Sequence, residues 1–121
     1  MKYTVEIPMK LPSLNKYINE CRKNKYAGAN MKKSVENDMA IFINLLPSFN
    51  KPLKITFKWI ENNKKRDLDN ICSAKKFILD CLVKTGKIQD DNRKIITGFK
   101  DEFYYADEAK VILEIEEVSK C

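Results

Sequence analysis

The chain has 121 residues, 44% of them apolar and 33% charged, with 23 Lys and Arg against 17 Asp and Glu. That length holds one hydrophobic core rather than two, and the composition is that of a folded chain, not a disordered one. The net charge of +6 favours polyanionic partners, nucleic acid before acidic membrane, and the complete absence of histidine excludes Ser-His and Cys-His nucleophiles, histidine-base nucleases and most zinc sites.

The first predicted element is a strand, KYTVEI (2–7), which alternates with period two and lacks the apolar run of a signal peptide. Residues 8–30 show no clean period, only Pro12, Gly28, four asparagines and scattered Lys and Arg, so a basic flexible loop is expected there. Helical spacing follows at Met31, Val35, Met39, Phe42 and Leu46, stopped by Pro47. The longest apolar stretch, AIFINLL (40–46), is too short to span a bilayer.

LKITFKWI (53–60) is a strand by alternation and by its β-branched and aromatic content. A second helix is expected over 70–84, with Ile71, Ala74, Ile78 and Leu82 facing inward and Gly86 closing it. The polar turn KIQDDNRK leads to two strands, IITGFKDEFYYA and AKVILEIEEV, expected as a hairpin through 106–108. The reading is one α+β domain over 1–121, ordered β-α-β-α-β-β, with two helices packed on a four-stranded mixed sheet. Cys21, Cys72, Cys81 and Cys121 have neither C-x-x-C nor zinc spacing and read as reduced thiols of a cytoplasmic protein.

The chemistry concentrates in KKRDLDN (64–70). Asp67 and Asp69 sit where a strand gives way to a helix, and on extended chain residues i and i+2 project to one side. Asp90 and Asp91 lie in a later turn that could return to the same strand end. Clustered carboxylates without histidine or paired cysteines suit magnesium or manganese, and a water carried by such an ion could attack a phosphodiester. The ordinary alternatives are a helix cap at Asp69 or Asn70 and a solvated turn at 90–91. Lys76 follows Asp69 by seven residues, near the same helix face, where an ammonium could stabilise a phosphoryl transition state. Lys75 rivals it, and Lys76, Asp80 and Lys84 could equally form a surface ion-pair ladder.

LPSLNKY (11–17), RDLDN (66–70), KFILDCLVKTG (76–86) and the Asp90–Asp91 pair, in that order, resemble RusA-type Holliday-junction resolvases over about residues 3–115. The resemblance implies a small homodimeric, magnesium-dependent endonuclease of a kind common in phages and prophages, working in the bacterial cytoplasm. It implies that Asp67, Asp69 and Asp91 are catalytic and bind Mg²⁺, with Mn²⁺ as a substitute. Lys76 matches the essential lysine four residues before a D-A-L segment, here Asp80-Cys81-Leu82, and Arg66 the basic residue before the first aspartate. The chain departs from the pattern by three extra residues between Asp69 and Lys76.

On this reading the partner is branched DNA, a four-way junction cut by paired, symmetric hydrolysis, with a C₂ dimer supplying two sites. Lys16, Arg22, Lys23, Lys25, Lys64, Lys65 and Arg66 would bind phosphates, and Tyr17 or Tyr26 could stack on unpaired bases or pack on the domain. Two other classes fit the same residues: a non-catalytic basic nucleic-acid-binding module, and a metal-dependent nuclease for flaps or other branched DNA. An RRM-like RNA binder fits the strand order but lacks the RNP aromatics.

Overall fold

The computed structural model describes residues 2–118. In chain order it contains β1 (Lys2–Ile7), α1 (Leu14–Lys23), α2 (Lys25–Ile43), β2 (Leu53–Glu61), α3 (Leu68–Cys72), α4 (Lys75–Lys84), β3 (Ile96–Tyr105) and β4 (Lys110–Glu117). The strands form one mixed sheet in the order β1-β4-β2-β3, with β2 and β3 parallel and the other two pairs antiparallel. The expected α+β class, strand–helix alternation and four-stranded mixed sheet are all present.

Alternation builds the core directly. Val5 and Ile7, then Leu53, Ile55, Phe57 and Trp59, then Val111, Leu113 and Ile115 are buried on one sheet face. Met39 and Ile43 of α2 and Phe77, Ile78, Cys81 and Leu82 of α4 are buried in the same cluster. Each such side chain contributes roughly 1.5–3 kcal/mol by leaving water.

The expected β3–β4 hairpin is not formed. The link 106–109 carries the chain past β2, and β4 pairs with β1 and β2 instead. Two strand spacings are only ~10 Å, within reach of a short extended link. Charge favours the central place for β4: on the outer face Glu114 takes Lys2 from β1 and Lys58 from β2. A turn signal in sequence marks a reversal but not which neighbour the returning strand meets.

Of the expected loop over 8–30, only 8–13 is irregular; α1 and the start of α2, joined at Asn24, take up the rest. Ser13 caps α1 by accepting from Lys16 N, and Asn24 caps α2 by accepting from Tyr26 N and Ala27 N. Leu14, Tyr17, Ile18 and Cys21 carry an i, i+3, i+4, i+7 pattern diluted by polar neighbours. The two helices approach so closely that a Cβ at Gly28 would lie 2.2 Å from Cys21 Sγ and 3.1 Å from Cys21 Cα, so any larger residue there would force Cys21 to shift. The expected helix over 70–84 is divided at Ser73–Ala74, where Ala74 N bonds to Ile71 O and Phe77 N to Ala74 O in the tighter i→i−3 pattern.

Strands β1, β2 and β3 run the same way, so their carboxyl ends, Ile7, Glu61 and Tyr105, gather at one edge. The acidic motif leaves the sheet from that edge.

Candidate active site

The acidic segment is tied down at its root. Glu61, at the end of β2, is buried, and its Oε1 accepts from Arg66 Nε at 2.9 Å and pairs with Arg66 Nη2 at 2.8 Å. Arg66 Nη1 also donates to the Leu11 carbonyl at 3.0 Å, joining the exits of β1 and β2. Arg66 is therefore half-buried with its guanidinium engaged by Glu61 and Leu11, not free on the open surface expected of a phosphate grip. Lys65 N donates to Asn63 Oδ1, which shapes the turn between them.

Asp67 occupies the cap position of α3 in an extended conformation, but its carboxylate makes no capping hydrogen bond. Asp69 lies in the first turn and accepts from Asn70 N at 3.0 Å. The two are thus not consecutive same-side residues of an extended chain; one precedes a short helix and the other is within it. Both are exposed. The start of α1 is pinned to this helix by Leu14 N donating to Ser73 Oγ and Asn15 Nδ2 to Asn70 Oδ1, both at 3.0 Å.

Asp91 lies in the turn after α4, its backbone N–H held by Asp90 Oδ1 at 2.7 Å. Its carboxylate meets Lys76 Nζ at 3.4 Å, bringing together two residues fifteen apart that the sequence singled out. It does not complete a three-carboxylate cluster with Asp67 and Asp69: among the described residues, no three His, Cys, Asp or Glu side chains form a metal-holding group. Asp67 and Asp69 nevertheless offer exposed oxygen donors, the donor type hard divalent cations take.

The lysine neighbours diverge. Lys75 Nζ turns to the sheet, bonds Asp101 Oδ2 at 2.8 Å and lies over the Phe57 and Phe99 rings, while Asp101 Oδ1 accepts from Trp59 Nε1 at 2.9 Å. Lys76 points outward, 60% exposed, between Asp91 and Asp80, the latter at 3.1 Å. The second oxygen of Asp80 takes Lys32 Nζ of α2 at 2.8 Å. Asp80 raises the Lys76 ammonium pKa, chiefly by hydrogen bonding, against a smaller opposing effect of burial. Burial works to raise the Asp80 carboxyl, but hydrogen bonds from Lys32 and Lys76 outweigh it and hold the carboxyl below its ordinary range. The sequence offered the Lys76–Asp80 contact only as a surface ladder and gave no sign of Lys32, because no short-range pattern couples α2 to α4.

Of the other expected DNA contacts, Lys16, Arg22, Lys23 and Lys25 are exposed on α1 and at the start of α2, with Lys23 paired to Glu20 at 3.0 Å. Lys64 and Lys65 are exposed, Lys64 lying over the Tyr105 ring. Tyr17 packs edge-on against Phe77, whereas Tyr26 is 63% exposed beneath Lys25. Cys21, Cys72 and Cys81 are free thiols, and burial pushes Cys81 up to about 11; Cys121 lies outside the described residues. Among the described residues, no helix is long and apolar enough to cross a membrane.

A family model described as "Endodeoxyribonuclease RusA" matches residues 2–116, which spans every strand and helix named above except the last residue of β4. No curated protein matches the sequence.

Proposed function

The chain belongs to the RusA endodeoxyribonuclease family, whose members resolve Holliday junctions and are generally dependent on a divalent metal, and from that premise we propose that it cuts four-way junction DNA by Mg²⁺-dependent, paired symmetric hydrolysis. Asp67, Asp69 and Asp91 would hold one or two Mg²⁺ ions, with Mn²⁺ a substitute. Bound there, the ion would supply an activated water and polarise the scissile phosphate. Lys76 would neutralise charge developing on the phosphodiester. A homodimer would present two such sites to the near two-fold junction.

The observation that carries this reading is the Lys76–Asp91 contact, which assembles half of the expected catalytic set in one place with an exposed ammonium. Lys75, the rival, is committed to Asp101 and to the Phe57 and Phe99 rings. Lys16, Arg22, Lys23, Lys25, Lys64 and Lys65 would track phosphates, while Arg66 would serve them indirectly by fixing the acidic segment. Phage or prophage origin and action in the bacterial cytoplasm accompany the proposal.

One observation favours a second reading. Asp91 pairs with a lysine rather than with the other two aspartates, as a non-catalytic DNA-binding module would allow. Incubating the protein with end-labelled four-way junction, duplex, flap and single strand, in Mg²⁺ and in EDTA, separates these. Paired nicks in the junction alone, abolished by EDTA, are expected. Preferred cutting of the flap would reassign the substrate, and metal-independent binding without any nicks would favour the binding module.

A further inference from the structure

Lys32, Asp80, Lys76 and Asp91 form a line of alternating charge from α2, across α4, to the turn before β3, with successive contacts of 2.8, 3.1 and 3.4 Å. Asp80 is its node. Each carboxylate oxygen has its own lysine, and the side chain is only 17% exposed, so water competes weakly for it. Ordinary helix-surface pairing explains this poorly, because a lysine four residues before its acid is the less favourable order along a helix. Lys76 also needs more than one anchor. Its longer contact is to Asp91, a carboxylate that would have a cation to face in the working enzyme. The shorter one is to Asp80, which has no such duty.

We propose that Asp80, braced by Lys32, is the positioning residue that keeps the Lys76 ammonium directed at the reacting phosphodiester when Asp91 is engaged elsewhere. This rests on the proposed junction cleavage. Asp80 touches neither DNA nor cation; it acts through Lys76. Lys32 contributes by fixing the carboxylate plane and by tying α2 to α4 at the level of the site.

Three proteins test it: wild type, Asp80→Asn, and the charge swap Lys32→Asp with Asp80→Lys. The swap restores an α2–α4 ion pair but puts a cation where Lys76 needs an anion. Three readouts are taken: thermal stability, single-turnover junction cleavage with its KM, and the ¹H–¹⁵N cross-peak of the Lys76 ammonium, visible only while a hydrogen bond slows its exchange. Asp80→Asn is expected to lower the cleavage rate roughly 10- to 100-fold, as misplacement of a catalytic group by about an ångström does. KM should stay within about twofold, as expected for an interaction made in the transition state, and the Lys76 cross-peak should disappear. The swap is expected to recover stability but neither cleavage nor cross-peak. Cleavage that returns with stability in the swap would reduce Asp80 to a structural tie and overturn the proposal. So would a Lys76 cross-peak that persists in Asp80→Asn. That last result is read without any cleavage, so it stands apart from failure of the functional reading, which would show as a wild type unable to cut the junction.

Discussion

Lys75 and Lys76 are adjacent in sequence and open the same helix, yet they belong to different regions of the molecule. Lys75 is 19% exposed and closed into a chain running from Asp101 to Trp59 over two aromatic rings. Its charge is consumed in attaching α4 to the sheet. Lys76 is 60% exposed, and its ammonium is held between Asp80 and Asp91 with its remaining side open to an incoming anion. The difference separates a cation that holds the fold from one available for chemistry, and it follows from which side of α4 each residue occupies.

The strongest way to break the comparison is Lys76→Gln. Single-turnover cleavage should fall by about 100-fold or more, the usual loss when a charge-stabilising group is removed from a transition state, with the melting temperature changed little. Lys75→Met should do the reverse. It strands Asp101 beside the core, and the unfolding free energy in urea should drop by about 2 kcal/mol, less than for a fully buried pair because water reaches this one. Cleavage per folded molecule should stay within a few-fold. Equal loss of cleavage in both variants would dissolve the distinction.

A smaller effect sharpens it on the acid side. The folded Asp80 carboxyl titrates below its ordinary value of 3.8, so its contribution to stability is fully present above that pH and is lost as pH falls through the lowered value. The stability gap between wild type and Asp80→Asn, measured by urea titration, should therefore be largest near neutrality and close on acidification below about pH 3.8. A gap that widens in acid would show that Asp80 is not held as an anion. Smallest of all, Lys16→Ala should weaken junction binding and reduce the slope of log affinity against log salt by about one. An unchanged slope would remove α1 from the DNA path.

Much of this was legible in the sequence, and the failures have physical causes. The period-two runs at 2–7 and 53–60 give their strands because alternation is read locally. The RDLDN segment stands out by its charge pattern, while spacing alone left Lys75 and Lys76 as rivals and only the family resemblance preferred Lys76. The order of the sheet was not legible, since β4 is drawn between β1 and β2 by burial of Val111, Leu113 and Ile115 and by the Lys2–Glu114–Lys58 bridge. Helix α1 was hidden because it buries no residue fully and holds its place through Ser13, Gly28 and contacts to Ser73 and Asn70. Arg66 looked like a surface cation because its partner Glu61, buried at a strand end, is a rare arrangement for a carboxylate. Asp80 looked like one rung of a helix-surface ladder because Lys32 is forty-eight positions away.

The most direct test of the account is Asp69→Asn against wild type on a labelled four-way junction, with binding measured without divalent metal and cleavage measured in Mg²⁺. Asparagine keeps the shape of the side chain and removes the charge a cation needs. The account predicts that both proteins bind the junction alike and that only the wild type makes paired symmetric nicks. Equal cleavage by the two proteins would contradict the role given to the acidic pair.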